Sequence, residues 1–348
     1  MKFTKLGRAA VVAAAGALLL SSCAANEPAP GDAAGGASAP ASTLSGDLAG
    51  AGASSMGAAQ TAWIAGFQTA NPDVNITYDP AGSGAGREQF MAGGVAFAGS
   101  DAYLKDEELA GEFAACAADT LPVDLPIYIS PIAIIFNVEG VDELNLAPET
   151  LAGIFAGTIT KWNDDAIVAD NPDATLPDET ITPVHRSDES GTSENFTDYL
   201  DAVAGDVWTY GAIETWPTEA GGEGGKSTSG VVQVVTDAPN TIGYADASQA
   251  GGLGQANIKV GEEYVAPSPE AAAKILEVSP AVDEGSDVNM AFDLDHETSE
   301  AGVDPIVLTS YILSDEGQEI GSAEAGSAPL TDAIREKAQA IVDQISAG

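Results

Sequence analysis

The stretch ITPVHRSDESGTSENFTDYLDAV, residues 181–203, reads as strand, loop and helix in immediate succession. ITPVH is a short β-type run, and Phe196, Tyr199, Leu200 and Val203 recur at helical intervals. Between them HRSDESGTS holds a fixed positive charge, two carboxylates and a glycine flanked by hydroxyls. Arg186 offers a planar fork of donors suited to a tetrahedral oxyanion; Ser190, Gly191 and Thr192 add two hydroxyls and three consecutive backbone N–H groups. At a helix start, unpaired N–H groups and the positive end of the helix dipole favour an anion. The local alternative is a helix cap at Ser190 or Thr192 beside a surface Arg186–Asp188 pair.

Three other loops have a similar character. A strand around Leu48 gives way at residues 50–55 to a helix carrying Met56, Trp63, Ile64 and Phe67, with Ser54 and Ser55 at the turn, where a helix cap is the simpler reading. VNITY (74–78) alternates as a strand, and the following Gly82-Ser83-Gly84-Ala85-Gly86 is expected to be a turn open to a ligand, before a helix starting near Arg87. That run does not fit the dinucleotide fingerprint. VAFAGSDAYL (95–104) is an apolar strand ending at Ser100-Asp101. The Asp101 carboxylate either accepts a proton from a protonated oxyanion or caps a helix over KDEELAGEF.

Residues 121–140 are the most apolar part of the chain beyond its start, and Pro122, Pro126 and Pro131 exclude a membrane helix there. They read as an extended crossover into a second domain, followed by a strand over 132–137. Further on, a helix carries Leu151, Ile154 and Phe155, and a turn bears Lys161 and Trp162. AGGEGGKS (220–227) imitates a phosphate-binding P-loop but begins with Ala220, contains Glu223 and lacks a preceding apolar strand. A helix over 231–236 capped by Ser227 or Ser229, then a strand at IGYAD, fits better. Residues 252–300 read as acidic and irregular apart from a helix near 270–276. VDPIVLTSYIL (303–313) reads as a return strand, and Leu330, Ile334, Ala338, Ile341 and Ile345 mark an amphipathic terminal helix.

The chain has 348 residues, enough for two domains, and a formal net charge of −41. Such a field repels nucleic acid and anionic membrane surfaces, so no nucleic-acid partner is expected. A small anion must therefore be held by dense local hydrogen bonding in a dry cleft, with the long-range repulsion screened beyond about 8 Å. Residues 1–22 have a basic start and an apolar run from Ala9 to Leu20, as in an export signal. LSSC at 20–23 resembles a bacterial lipobox, which would make Cys23 the lipidated first residue of the mature chain; the alternative is an ordinary cleaved signal with an incidental cysteine. An Ala-, Gly- and Pro-rich tether then runs to residue 43. Cys116 is left without an intrachain partner, and two cysteines and two histidines supply neither a disulfide framework nor a metal centre.

GAGASS (50–55), YDPAGSGAG (78–86), FAGSDAYL (97–104), LAGIFAGTITKWND (151–164), RSDESGTS (186–193), WP (216–217), IGYAD (242–246) and the PIVLTSY strand resemble, in order, the PstS family of phosphate-binding lipoproteins. The resemblance implies an α/β, two-lobed periplasmic-binding-protein fold of type II with two crossover strands as hinge. Lobe one would comprise residues 44–126 plus 307–348 and lobe two residues 127–306. It implies inorganic phosphate held by Ser54, Ser55, Ser83, Asp101, Arg186, Ser190, Gly191 and Thr192, with Asp188 holding Arg186. Many relatives have Thr-Phe where this chain has Ser54-Ser55, so only hydroxyl and N–H contributions carry over there. The implied protein is an extracytoplasmic monomer anchored to the cell membrane through Cys23. It would need no cofactor and would serve the permease and ATPase subunits of an importer. A phosphatase with Ser83 or Ser190 as nucleophile would lack both a metal cluster and a second histidine to support His185. A receptor for another oxyanion and an adhesive surface protein are further alternatives.

Overall fold

A computed structural model describes residues 44–116, 122–123, 125, 127–280, 292–311 and 336. The export segment, Cys23, the tether and the apolar face of the terminal helix lie outside them. The chain opens with β1 (Gly46–Gly52), α1 (Gly57–Ala70), β2 (Val74–Asp79), α2 (Ser83–Met91) and β3 (Phe97–Gly99). β1 lies between β2 and β3 and runs parallel to both, so α1 and α2 belong to crossovers. In such a sheet the crevice beyond the carboxyl ends, where the strand order reverses, is the natural place for a ligand. Ser54-Ser55, Gly82-Ser83 and Ser100-Asp101 all leave the sheet at that edge.

The glycine run is not the expected turn. α2 starts at Ser83, a turn earlier than Arg87, because the small residues let the helix lie on β1: a Cβ on Gly86 would meet Gly52 Cα at 2.4 Å. Asp101 caps no helix either. The short α3 (Asp106–Leu109) is headed by Lys105, whose N–H is accepted by Glu108 Oε2 at 2.9 Å.

The second lobe is built on β4 (Ile127–Asn137), which continues through Pro131. It is followed by β5 (Asn145–Leu146), α4 (Pro148–Phe155), α5 (Asp165–Asp170), β6 (Thr182–Arg186), α6 (Gly191–Ala204), β7 (Glu223–Gly225), α7 (Ser227–Asp237) and β8 (Thr241–Asp246). β9 (Gly254–Gln255), β10 (Asn257–Val260), β11 (Glu263–Val265), α8 (Pro269–Val278) and β12 (Val307–Tyr311) complete the described chain. The main sheet has the order β12-β4-β8-β6-β7, with β9 also on β4. β6 is parallel to β7 and β8, while β4 is antiparallel to β8 and β12. Pro131 falls where β4 changes partner: residues up to it pair with β12 and residues after it with β8. β4 and β12 are the two crossover strands, side by side. The described part of residues 252–300 is less irregular than expected, since β10 pairs with β5 and β11 in a small sheet of its own.

β4 is largely apolar, Ser130 and Asn137 apart, because both its faces are covered. Ile132, Ile134 and Phe136 pack with Phe155, Phe196 and Tyr244, whereas Ala133 and Ile135 face Val231 and Val235 of α7. On α6, fully buried Phe196 and Leu200 each contribute about 1.5–3 kcal/mol of burial. They fix the helix whose first turn ends the HRSDESGTS loop.

Candidate anion-binding site

The carboxyl ends of the parallel strands β1–β3 and of the parallel strands β6–β8 meet, and the four donor-rich loops are brought together there. Arg186, 2% exposed, ends β6. Its main-chain N–H donates to Tyr244 Oη (3.1 Å), which shares a proton with Ser193 Oγ at 2.6 Å. Its guanidinium Nε donates to Asp188 Oδ1 at 2.8 Å and Nη2 to Oδ2. Asp188 also accepts the Ser227 N–H at the start of α7 (2.9 Å), so the arginine is aimed by a carboxylate that is itself tied down. Burial acts to raise the Asp188 carboxyl, but the hydrogen bond and charge of Arg186 and the Ser227 N–H outweigh it and hold it below the usual range.

Ser190 is the N-cap of α6: its Oγ accepts the Ser193 N–H at 3.2 Å. Its own N–H donates to the Glu214 carbonyl at 3.1 Å, so two of the three expected N–H groups, those of Gly191 and Thr192, head the helix without an intrahelical acceptor. Only glycine fits at 191, because a Cβ there would lie 2.8 Å from the Ala102 nitrogen and 2.9 Å from Ser83 Oγ. This contact brings the α6 terminus against Asp101 and Ser83.

Asp101, 4% exposed, is the acceptor at the centre. Ser55 Oγ donates to both its oxygens (2.7 and 2.8 Å) and Thr192 Oγ1 to Oδ2 (2.8 Å), while Ser83 Oγ accepts its N–H at 3.2 Å. Burial raises the Asp101 carboxyl above its ordinary value against those hydroxyls and the charge of Arg186. The hydroxyls of Ser55 and Thr192 are thus turned to the carboxylate. Ser54 faces a different group: its Oγ accepts the Thr228 N–H at 2.9 Å and lies 3.0 Å from Thr228 Oγ1. α7 accordingly starts at Ser227, earlier than expected, and its first N–H groups are met by Asp188 and Ser54 rather than by its own serines.

A family model described as a PBP superfamily domain matches residues 37–328. Phosphate-binding protein PstS 3 of Mycobacterium tuberculosis is 35% identical over 321 residues, covering 89% of this chain and 85% of its own. The chain belongs to the PstS family. A second relative, PstS 2 of Mycobacterium tuberculosis, is 32% identical over 376 aligned residues, spanning 99% of this chain and all of that protein. The fold recurs in solved structures at lower identity. A phosphate-binding protein from Stenotrophomonas maltophilia is 17% identical with a TM-score of 0.61, over 85% of this chain and 93% of that one. A high-affinity periplasmic phosphate-binding protein with phosphate bound is 20% identical with a TM-score of 0.64, over 84% and 93%. PstS proteins are binding proteins and not enzymes.

Within this PstS frame the structure adds residues that no local motif announces. Thr228 meets Ser54 across the cleft. Gln249 Nε2 donates to the carbonyls of Ser54 (2.9 Å) and Ser55 (2.7 Å), and Asn195 Nδ2 to that of Asp101 (2.6 Å). Arg87, expected only as a helix start, is a second buried guanidinium. The signal that could have marked it is a lone cation in an otherwise small and apolar helix face.

Proposed function

We propose that the chain captures inorganic phosphate between its lobes and delivers it to an ABC importer. The observation that carries this reading is the buried pairing of one fixed cation with one proton acceptor. Arg186, held by Asp188, supplies charge; a Cβ on Gly82 would lie 3.7 Å from its Nη2, and one on Gly191 would lie 2.9 Å from Ser83 Oγ and from Asp101 Cβ. Ser54, Ser55, Ser190 and Thr192 complete the ligand set taken from the family motif. Their hydroxyls orient the site's own groups, so their contribution to the anion runs largely through backbone N–H and placement. Asp101, whose burial makes it a stronger proton acceptor, takes a hydrogen from a protonated phosphate. Sulfate at neutral pH has no hydrogen to offer, and its lone pairs would face a buried carboxylate, a mismatch costing at least ~1–3 kcal/mol.

The lobes of this reading are residues 44–126 plus 307–348 and residues 127–306. An export signal over 1–22, lipid on Cys23 and a tether to residue 43 would hold a monomer at the outer face of the cell membrane, where closed lobes meet the permease that the ATPase subunits serve. Isothermal titration calorimetry on the purified full chain with phosphate and sulfate tests it. Phosphate should bind with sulfate at least ~10-fold weaker, and Asp101→Asn should narrow that gap by weakening phosphate and admitting sulfate. Equal affinity of the parent for both anions would remove the proton-acceptor role.

A further inference from the structure

Arg87 lies in α2, in the first lobe, and is 4% exposed. A guanidinium so buried must be paired, because its desolvation is otherwise uncompensated. Its donors are accounted for in detail: Nε goes to Glu108 Oε1 (2.8 Å), Nη1 to Ser100 Oγ and to Glu214 Oε1 (both 2.9 Å), and Nη2 to Glu214 Oε2 (2.7 Å). Burial acts to lower its proton affinity, and the hydrogen bonds and charges of Glu214 and Glu108 more than reverse this, so it stays charged. With Nε, Nη1 and one Nη2 position committed to protein acceptors, Arg87 is not turned to an anion, although its helix begins at Ser83.

Glu214 belongs to the other lobe. It follows α6 in the chain, and its main-chain carbonyl accepts the Ser190 N–H of the anion loop. The bidentate Arg87–Glu214 pair therefore bridges the cleft, and a single residue ties that bridge to the loop carrying Arg186. A second, weaker link runs beside it. Lys105 Nζ, from the first lobe, lies 3.1 Å from Glu194 Oε1 on α6 and 3.7 Å from Glu214 Oε2. Glu108 stays with Arg87 on the first-lobe side, held by the Lys105 N–H. When the lobes part, Arg87 keeps Glu108 and Ser100 but loses both bonds to Glu214. The open state thus lacks a fork-to-fork pair that the closed state has.

We infer that Arg87 and Glu214 form a latch across the cleft, a pair of positioning residues that sets how long the lobes stay shut without touching the bound anion. This rests on the phosphate-capture reading for its ligand, but the latch itself stands on contacts between the lobes. Breaking one partner of a buried, hydrogen-bonded charge pair acts mainly on dissociation. Glu214→Gln should therefore raise the phosphate off-rate by about 10–100-fold, with the on-rate and the phosphate-to-sulfate ratio unchanged. Lys105→Ala, at the half-exposed end of the network, should raise it by about 2–3-fold.

Stopped-flow tryptophan fluorescence on the full chain, with phosphate and sulfate as probes, reads both rates. Small-angle X-ray scattering of the ligand-free chain reads lobe closure independently. A faster off-rate at constant on-rate and constant selectivity supports the latch. An unchanged off-rate, or an altered selectivity, overturns it while leaving phosphate capture standing. If Glu214→Gln does not fold, the Lys105→Ala off-rate decides in the same two directions. Should the parent bind neither anion, the capture reading falls and scattering decides: Glu214→Gln more expanded than the parent upholds the latch, and equal dimensions reject it.

Discussion

Arg186 and Arg87 are both buried guanidinia gripped by a carboxylate fork, yet they are gripped on opposite terms. Arg186 takes its partner from its own loop, two positions along the chain, so the pair exists whether the lobes are open or closed. Arg87 takes Glu214 from 127 positions away in the other lobe, so that pair exists only when they meet. On the proposed readings, the same chemistry serves recognition in one place and closure in the other. What separates the roles is which donors remain: Arg186 has Nη1 free of the Asp188 fork, whereas Arg87 has Nη1 committed twice.

The largest effect follows from breaking the local pair. Arg186→Ala leaves Asp188 and Asp101 facing an incoming anion without a cation between them. It should lower phosphate affinity by about 1,000-fold or more, the scale of an uncompensated buried charge. Arg186→Lys keeps the charge but cannot hold Asp188 with a fork, and should cost about 10–100-fold. Arg87→Lys at the latch should alter equilibrium affinity less than Arg186→Lys does. Calorimetry on the two lysine variants that found equal losses would erase the distinction between the two arginines.

A smaller effect tests whether Ser54 acts on the anion or on closure. Its hydroxyl is held by Thr228 from the other lobe. Ser54→Ala and Thr228→Val should each weaken phosphate by about 2–10-fold, the worth of a neutral hydrogen bond. If Ser54 works through Thr228, the double variant should cost little more than either single one. Additive losses in a double-mutant cycle would instead return Ser54 to the anion's own ligand set.

The same contrast governs what could be read from residues alone. The Arg186 loop was legible because all it needs is local: a strand, a fork of donors, a capping serine and a helix at regular spacing. The crossover pair β4 and β12 was legible because two apolar runs bracket the second lobe. Arg87 with Glu214, and Ser54 with Thr228, lie 127 and 174 positions apart, and nothing local in either partner points to the other. Glycine misled in a different way. The run 82–86 has turn composition, but Gly86 packs α2 on β1, and a Cβ on Gly82 or Gly84 would meet Asp188 or Glu189 of the anion loop, tertiary demands that override local preference. The small sheet of β5, β10 and β11 was missed for a similar reason, since β10 and β11 are brief and β5 comes from far earlier in the chain.

The finest test uses two carboxylates of one site that burial and partners move in opposite directions. Asp101 is raised by burial; Asp188 is lowered because Arg186 outweighs burial. A raised carboxyl contributes stability that is fully present below its unfolded value, about 4, and is lost as pH rises through the folded value. A lowered one contributes stability present above about 4 and lost as pH falls through the folded value. In thermal melts of the ligand-free chain, Asp101→Asn should therefore gain on the parent as pH is raised from about 4 towards neutrality. Asp188→Asn should show its deficit above about pH 4 and recover towards the parent in acid. Each unit by which Asp101 is displaced is worth about 1.4 kcal/mol, while the Asp188 effect is smaller because solvent reaches that side chain and screens its pair. Variants that shift with pH in the same direction would mean that Asp101 is not the protonatable member of the site, and the hydrogen-sensing role would pass to another group.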